Sequence, residues 1–399
     1  MYLEPEEEKI LNGEFGQGKA LALKAVVKVG EALGAERLIR IKHAHVSGVS
    51  YKNIGDEGLE FLEELARSGA RVSVPATMNP GGFDTALWPY MRVSADFVEK
   101  QNRIIKALSE IGVRPTLTCT PYLYEKVSYG DHIAWSESNA VLYANSVIGA
   151  RTNRDGGPLA LLEAISGRAP LAGLHLESNR RPQLIIDFEE VGSLVAERGL
   201  YHVAGLVVGR TAGDRVPLVR GLPLRRENVP EIKVFLAAVG AAGGTGLVLI
   251  EGISPERYEA RDLERVPVDA KSLYETLEEY QGSPTESAVV VLGCPHLSLE
   301  EVMDVVSFFS DRGPARRRVI LYTSREVYEA ISGHVEKLRA KNLYVFADTC
   351  MVVSPLSMYA GREVVTDSGK AAFYLKAQGY KVVLKSRREA LEYAAGGGG

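Results

Sequence analysis

Three cysteines, Cys119, Cys294 and Cys350, are spread over the 399 residues of the chain. Each follows an apolar or β-branched run: "PTLTC", "VVVLGC" and "LYVFADTC". In open α/β sheets ligands bind at the carboxyl ends of strands, so three such strands could deliver three thiols to one point. An odd number of cysteines this far apart is a poor disulfide framework. Three kinds of chemistry remain open. The thiols could be separate core residues, since free Cys is among the most buried residue types. They could join His296 around zinc, although no C-x2-C pair of the usual structural kind exists. They could hold an iron–sulfur cluster through three thiolates, which leaves one iron to act as a Lewis acid on a substrate hydroxyl or carboxylate.

Anion-binding residues form a second group. Arg151 and Arg154, in "ARTNRDGGP", suit bidentate contacts to phosphate or carboxylate. Ser138, Asn139, Asn145, Ser146, Thr152 and Asn153 are short polar side chains nearby in sequence. Ser368 and Lys370, in "TDSGKAA", fall between a strand and a helix, where backbone N–H groups favour an anion. The same run also reads as a capped helix start with a solvated lysine, and "NRDGGP" as a turn. His43 and His45, two apart at a strand exit, could line a pocket with Ser47, Gly48 and Tyr51, or could be ordinary hydrogen-bonding residues. Thr77 and Asn79, in "ATMNPGG", carry the same two readings. The "GGTG" at 243–246 lies between helix and strand, whereas a dinucleotide fingerprint needs strand, loop and then helix. A nicotinamide cofactor is therefore rejected.

Alternating elements must position these residues. Helical periodicity is clear over 17–34, 55–69 and 95–112, with "RLIRIKHAHVSGVSY" expected as a strand running into a polar loop, "ARVSVPATMNPGG" as a strand with a polar exit and "VRPTLTCTPYL" as a strand. Such alternation means βαβ units and a mostly parallel sheet. Residues 131–158 mix small and polar residues and break the pattern. A second α/β region is expected at 186–283, with "HVAGLVVGRT" and "GTGLVLIEGIS" as strands and "EIKVFLAAVGAAGG" as a helix. A third, 284–399, has strands at "SAVVVLG", "RRVILYTS", "NLYVFADT", "EVVTDS" and "KVVLKS". The first region is 1–185. The acidic "EPEEEK" reads as a solvated start and the closing "GGGG" as a frayed tail.

The dispersed cysteines, with "KHAHVSGVSY", "WSESNAVLYANSVIGARTNRDGGP", "GCPHLSLEE", "ADTCMVVSPL" and "VVTDSGKAAFY", resemble the large subunit of the aconitase X family over residues 1–390. The resemblance implies an α/β fold of three α/β/α lobes with mostly parallel sheets, and an active site at the strand C-terminal ends between lobes. It also implies a separate small subunit carrying a swivelling lobe, because no residues remain here for a fused one. The activity implied is that of a hydro-lyase. For the archaeal two-subunit form this is dehydration of (R)-5-phosphomevalonate to trans-anhydromevalonate 5-phosphate, in a modified mevalonate pathway to isoprenoids. For some bacterial members it is dehydration of cis-3-hydroxy-L-proline. Cys119, Cys294 and Cys350 match the family's cluster ligands, and a [4Fe-4S] cluster with one iron not ligated by protein is expected. By analogy with aconitase, the base that takes the C2 proton is a serine on the partner subunit, and none is assigned here. A zinc hydrolase and a non-catalytic regulatory or RNA-binding protein of the same fold are the rival readings.

The net charge of −4 and pI near 6.1 argue against nucleic acid and against an anionic membrane. No apolar run approaches the roughly 20 residues a membrane span needs. The start, "MYLEPEEEKILNG", lacks the basic and apolar regions of a signal peptide, so a cytoplasmic protein is expected.

Overall fold

The structure is a computed structural model. It describes all residues except 260, 261, 283, 311, 356–362, 398 and 399. Leu356 of "ADTCMVVSPL" and Gly398 and Gly399 of the glycine tail thus lie outside the described residues.

Fifteen α-helices and fourteen strands follow one another among the described residues, and three sheets are wholly parallel. The first sheet has three short strands, with Ala44–Val46 in the centre, Ala76–Met78 on one side and Ala134–Trp135 on the other. The second has four, with Leu184–Asp187 and Pro217–Arg220 inside and Leu249–Ile250 and Arg265–Pro267 at the edges. The third has five: Leu343–Phe346, Val319–Thr323, Val289–Leu297, Val364–Thr366 and Val382–Leu384 in spatial order. Its inner strands are almost continuously Val, Ile and Leu and fully buried, as expected of parallel strands covered on both faces. A separate antiparallel pair joins Leu38–Arg40 to Arg168–Pro170.

The described residues divide into two compact units. One holds 1–82, 94–181 and 254–258. The other holds 83–93, 182–253 and 259–399. The first unit's core gathers the helices Tyr51–Arg67, Ala95–Ile111 and Gly157–Ser166 around the three-stranded sheet. The second contains a core on the five-stranded sheet, with Val302, Val305, Phe309, Leu338 and Leu391 covering it.

Three expectations need correction. "HVAGLVVGRT" is not a strand but most of the helix Tyr201–Ala212, buried along nearly its whole length. A helix apolar all round has no polar face, so its run of Val and Leu imitates a buried strand. Its glycines explain the packing. A Cβ at Gly205 would sit 2.3 Å from the Phe235 carbonyl oxygen, and one at Gly209 2.6 Å from that of Val239. Only glycine permits this approach to the helix Val229–Ala242. The expected "GTGLVLIEGIS" does supply the short strand Leu249–Ile250, and the other strands of that region come from "LIID", "PLVR" and "RVP". Second, "VRPTLTC" forms no strand. Arg114 makes a single parallel bridge to Thr77, Pro115 offers no N–H, and Leu117 turns to φ +46. Third, "EPEEEK" is not a solvated tail. It forms the helix Pro5–Leu11, whose Glu7 is buried against Arg168, with Oε1 2.8 Å from Nε.

Candidate active site

Cys119 lies in that irregular run, in the first unit, and is 7% exposed. Its carbonyl accepts a hydrogen bond of 3.1 Å from Asn139 Nδ2. Asn139 sits in the first turn of the helix Ser138–Tyr143, which Glu137 caps. The same Nδ2 donates to Glu137 Oε1 at 3.0 Å, and Asn139 Oδ1 accepts from the Tyr122 hydroxyl at 2.9 Å. Asn79 Nδ2 donates to Glu137 Oε2 at 2.7 Å. That contact turns Asn79 Oδ1 toward His45 Nε2, 3.1 Å away, while His45 Nδ1 meets the Thr77 hydroxyl at 2.7 Å. An amide oxygen only accepts, so Nε2 carries the proton and Nδ1 accepts from Thr77. Burial drives the His45 pKa down to about 4, against the Asn79 contact, and the ring is neutral. Thr77, His45, Asn79, Glu137 and Asn139 thus form one buried relay that ends on the Cys119 main chain. The parallel register pairing His45 with Thr77 and with Trp135 positions its start.

His43, two residues earlier, precedes the strand rather than leaving it. Its Nδ1 accepts from the Trp135 indole N–H at 3.0 Å, and Nε2 is 3.3 Å from Glu125 Oε2. The His43 contact holds the Glu125 carboxyl below its ordinary range, against the pull of burial. Ser47 is tied to Ser136 through both its N–H and its hydroxyl. Gly48 is in the left-handed region at φ +72. A Cβ on Gly157 would meet the Ser47 carbonyl oxygen at 2.1 Å, so this loop packs directly on the start of the helix Gly157–Ser166.

The 145–154 stretch is largely occupied with its own shape. Asn145 and Thr152 exchange two hydrogen bonds of 2.8 and 3.1 Å, and Trp135 N–H donates to Thr152 Oγ1 at 3.0 Å. The buried Arg180 guanidinium adds a 2.9 Å bond to Asn145 Oδ1 and pairs with Glu256 at 2.6 Å. Asn153 Oδ1 accepts from Leu174 N–H, Ser146 is buried with its carbonyl bonded to Ser254, and Ser138 Oγ donates to Glu137. Arg151 lies 3.3 Å from Glu177. Arg154 is half-buried. Burial pushes the neighbouring Asp155 carboxyl up to about 6.

In the second unit, Cys294 is not at a strand tip. It lies inside Val289–Leu297, 6% exposed, where pairing with Val319–Thr323 shifts register between Leu292 and Leu297. Gly293, at φ +104, lets this bulge press on Tyr322, whose carbonyl oxygen would be 2.2 Å from a Cβ. The Cys294–Pro295 peptide is cis. Cys350 follows the strand Leu343–Phe346 after a left-handed turn at Asp348, φ +64, and is 7% exposed. His296 Nε2–H donates to the Thr349 carbonyl at 2.8 Å, which ties the two cysteine segments together. Lys233 Nζ donates to the His296 carbonyl at 2.9 Å and pairs with Glu301 at 2.5 Å. Glu301 also meets Arg387 at 3.0 Å, and Arg387 reaches Asp367 at 2.7 Å. Burial alone would raise the Glu301 pKa. Lys233 and Arg387 more than reverse it, to about 2. Beside Asp367, Ser368 caps the helix Gly369–Ala377 by accepting from Ala371 N–H at 3.0 Å. Lys370 is 8% exposed, so it is not a solvated lysine.

Models of the first, second and third domains of aconitase X match residues 1–178, 182–278 and 287–396. A phosphomevalonate dehydratase large subunit of Aeropyrum pernix is 44% identical over 396 residues, covering 96% of this chain and 97% of that one.

The chain belongs to the aconitase X family.

A cis-3-hydroxy-L-proline dehydratase of Pseudomonas aeruginosa is 33% identical over 93% of this chain but 66% of its own length. The crystal structure of Thermococcus kodakaraensis aconitase X in its holo-form superposes with a TM-score of 0.90 at 39% identity, over 99% of this chain and all of that one. The aconitase X fold here is thus the mixed α/β architecture of parallel sheets that the sequence suggested.

An iron–sulfur cluster asks for cysteine thiolate donors. The three thiols are buried, and no disulfide joins them. Thr349, adjacent to Cys350, has a buried hydroxyl with no partner among the described residues, an O–H that a bound sulfide or substrate oxygen would satisfy. Among the described residues no three His, Cys, Asp or Glu side chains gather into a ready metal site. His296 is engaged with Thr349. The donor chemistry fits a cluster.

Sequence reasoning missed Glu137, Glu125, Tyr122 and Arg180. Glu137 was visible only as the residue before a short helix in "WSESN". The others stand in unremarkable surroundings, and only the fold gives them partners. Among the described residues no helix is long and apolar enough to cross a membrane.

Proposed function

We propose that this chain is the catalytic large subunit of a two-subunit hydro-lyase that dehydrates (R)-5-phosphomevalonate to trans-anhydromevalonate 5-phosphate. The supporting observation is identity of 44% along nearly the whole length of an archaeal phosphomevalonate dehydratase large subunit, against 33% with the hydroxyproline enzyme. The partner is a small subunit, as the large-subunit name of that relative suggests, and we assign the swivelling lobe to it.

Cys119, Cys294 and Cys350 would hold an iron–sulfur cluster, a [4Fe-4S] centre with one iron free of protein ligands. Bound there, the cluster would draw charge from the departing C3 hydroxyl as a Lewis acid. The chain's own residues prepare the surroundings. The neutral His45 and the two asparagines orient Glu137, the single carboxylate of the relay that fixes the Cys119 segment. Lys370 and the N-terminus of the helix Gly369–Ala377 offer a cation and N–H donors to phosphate or carboxylate, and Arg154 offers a second cation. No base for the C2 proton is assigned within this chain, and the small subunit is its expected source.

The test is iron and acid-labile sulfide on anaerobically purified protein co-expressed with its small subunit, followed by dehydration of phosphomevalonate. About four irons and four sulfides per chain with turnover are expected. Cys119→Ser, Cys294→Ser and Cys350→Ser should each lose the cluster and turnover. Wild-type protein that takes up no iron after reconstitution would sink the mechanism. Turnover of cis-3-hydroxy-L-proline alone would replace the substrate.

A further inference from the structure

Asp84 is fully buried and lies in the short segment 83–93, which belongs to the second compact unit although the residues before and after it belong to the first. One carboxylate oxygen accepts from Ala86 and Leu87 N–H at 2.9 and 3.0 Å and from Arg325 Nη2 at 2.8 Å. The other accepts from Ala347 N–H at 2.7 Å, in the segment that leads to Cys350. Arg325 also grips Asp348, through Nη2 to Oδ2 and through Nε to Oδ1 at 3.3 Å. The Thr85 hydroxyl donates to the same Asp348 carboxylate. Asp348 is the residue at φ +64, a conformation L side chains seldom hold without support. Two residues later comes Cys350, and between them stands Thr349, whose carbonyl is held by His296 and whose buried hydroxyl has no partner among the described residues.

These contacts converge on three consecutive residues, 347 to 349. We infer that Asp84 and Arg325 are positioning residues for the Thr349–Cys350 segment: they lock the left-handed turn at Asp348 so that the Cys350 thiol and the Thr349 hydroxyl are presented in one fixed arrangement. The inference rests on the reading of Cys350 as a cluster ligand for its catalytic meaning, but not for its geometry. Arg325 is suited to the role because its planar fork reaches both carboxylates at once, which a lysine ammonium cannot reproduce.

The experiment compares wild-type full chain with Thr85→Val, Arg325→Lys and Asp84→Asn. Thr85→Val is the mildest, since it removes one hydroxyl and leaves both ion pairs. In cluster-free protein, the alkylation rates of Cys350 and Cys119 by iodoacetamide are read by mass spectrometry. Cys350 is expected to react at least fivefold faster in Thr85→Val and Arg325→Lys, with Cys119 and the thermal midpoint little changed. After anaerobic reconstitution with the small subunit, the same variants should give an altered EPR line shape and a lower kcat at unchanged KM. Equal acceleration of both cysteines, or an unchanged Cys350 rate in both milder variants, would overturn the inference. If wild-type protein binds no cluster, the alkylation comparison still decides the positioning role, so the two failures are distinct.

Discussion

The Cys119 segment and the Cys294–Cys350 segments are held in opposite ways. Around Cys119 the support is neutral at its origin: a histidine in one tautomer, two asparagines and a threonine lead to a single carboxylate. Behind Cys294 and Cys350 it is ionic: Lys233, Glu301, Arg387 and Asp367 form one buried chain, and Asp84, Arg325 and Asp348 another. A neutral relay depends on orientation, because each amide and ring must face the correct way. A buried ionic chain depends on charge balance, because removal of one member strands the others. The first should therefore respond to shape and the second to charge.

The largest effect is expected from Glu301→Gln, which keeps the size but leaves Lys233 and Arg387 buried without their shared partner. Stranding a buried charge typically costs about 3–5 kcal/mol, to be read from urea unfolding at pH 7. A loss below about 1 kcal/mol, the scale of an exposed pair, would erase the contrast between the two regions. Titration sharpens it next. Burial lowers the pKa of His45 to about 4, of His175 to about 3 and of His202 to about 4. The unfolded chain therefore takes up these protons first. Stability present above pH 6.5 should fall as pH drops through 6.5 toward 4, by up to ~1.4 kcal/mol per pH unit for each histidine. Glu301, held at about 2, adds its own loss only below about pH 4.5. Urea midpoints between pH 7 and 3 should show these two windows in that order. A flat profile from pH 7 to 5 would contradict the buried neutral histidines.

Within the neutral relay, Asn79→Ala removes the group that links His45 to Glu137. Leaving these buried partners unsatisfied should cost about 1–3 kcal/mol, and the His45 ring should lose its single tautomer in nitrogen NMR. An unaltered tautomer would show that Thr77 alone orients the ring. The smallest effect is expected at the edge of the ionic region. Ser298 caps the helix Leu299–Phe308 and its N–H donates to Glu301. Ser298→Ala should cost about 1 kcal/mol, the ordinary value of a cap. A cost near that of Glu301→Gln would mean that the cap, not the charge, holds Glu301 in place.

The five-stranded sheet was legible because each of its strands carries an apolar run bounded by polar residues or glycine. The helix Tyr201–Ala212 was not, because full burial erases the periodicity that separates helix from strand. At the site, the sequence named His45, Thr77, Asn79 and Asn139 without the Glu137 that joins them. It named Asn145, Thr152 and Asn153 as ligand donors, although their polar atoms are engaged with Arg180, Trp135 and Leu174. A short polar residue beside a glycine loop looks the same whether it bonds substrate or its own backbone. Asp84 and Arg325, 241 residues apart in sequence, gave no signal at all.

The path of the chain through its two compact units has a consequence for synthesis. Residues 1–82 and 94–181 belong to the first unit, but its last piece, 254–258, follows seventy-two residues of the second. That piece carries Glu256, the buried partner of Arg180. A ribosome reading from the N-terminus therefore releases Arg180 long before the carboxylate that neutralises it. The Asn145–Thr152 loop, braced by that arginine, reaches its final form only after Glu256 has emerged. Folding of the first unit is thus timed by translation of a segment embedded in the second, and a nascent chain stalled before residue 254 would expose an unpaired guanidinium at a spot destined to be dry.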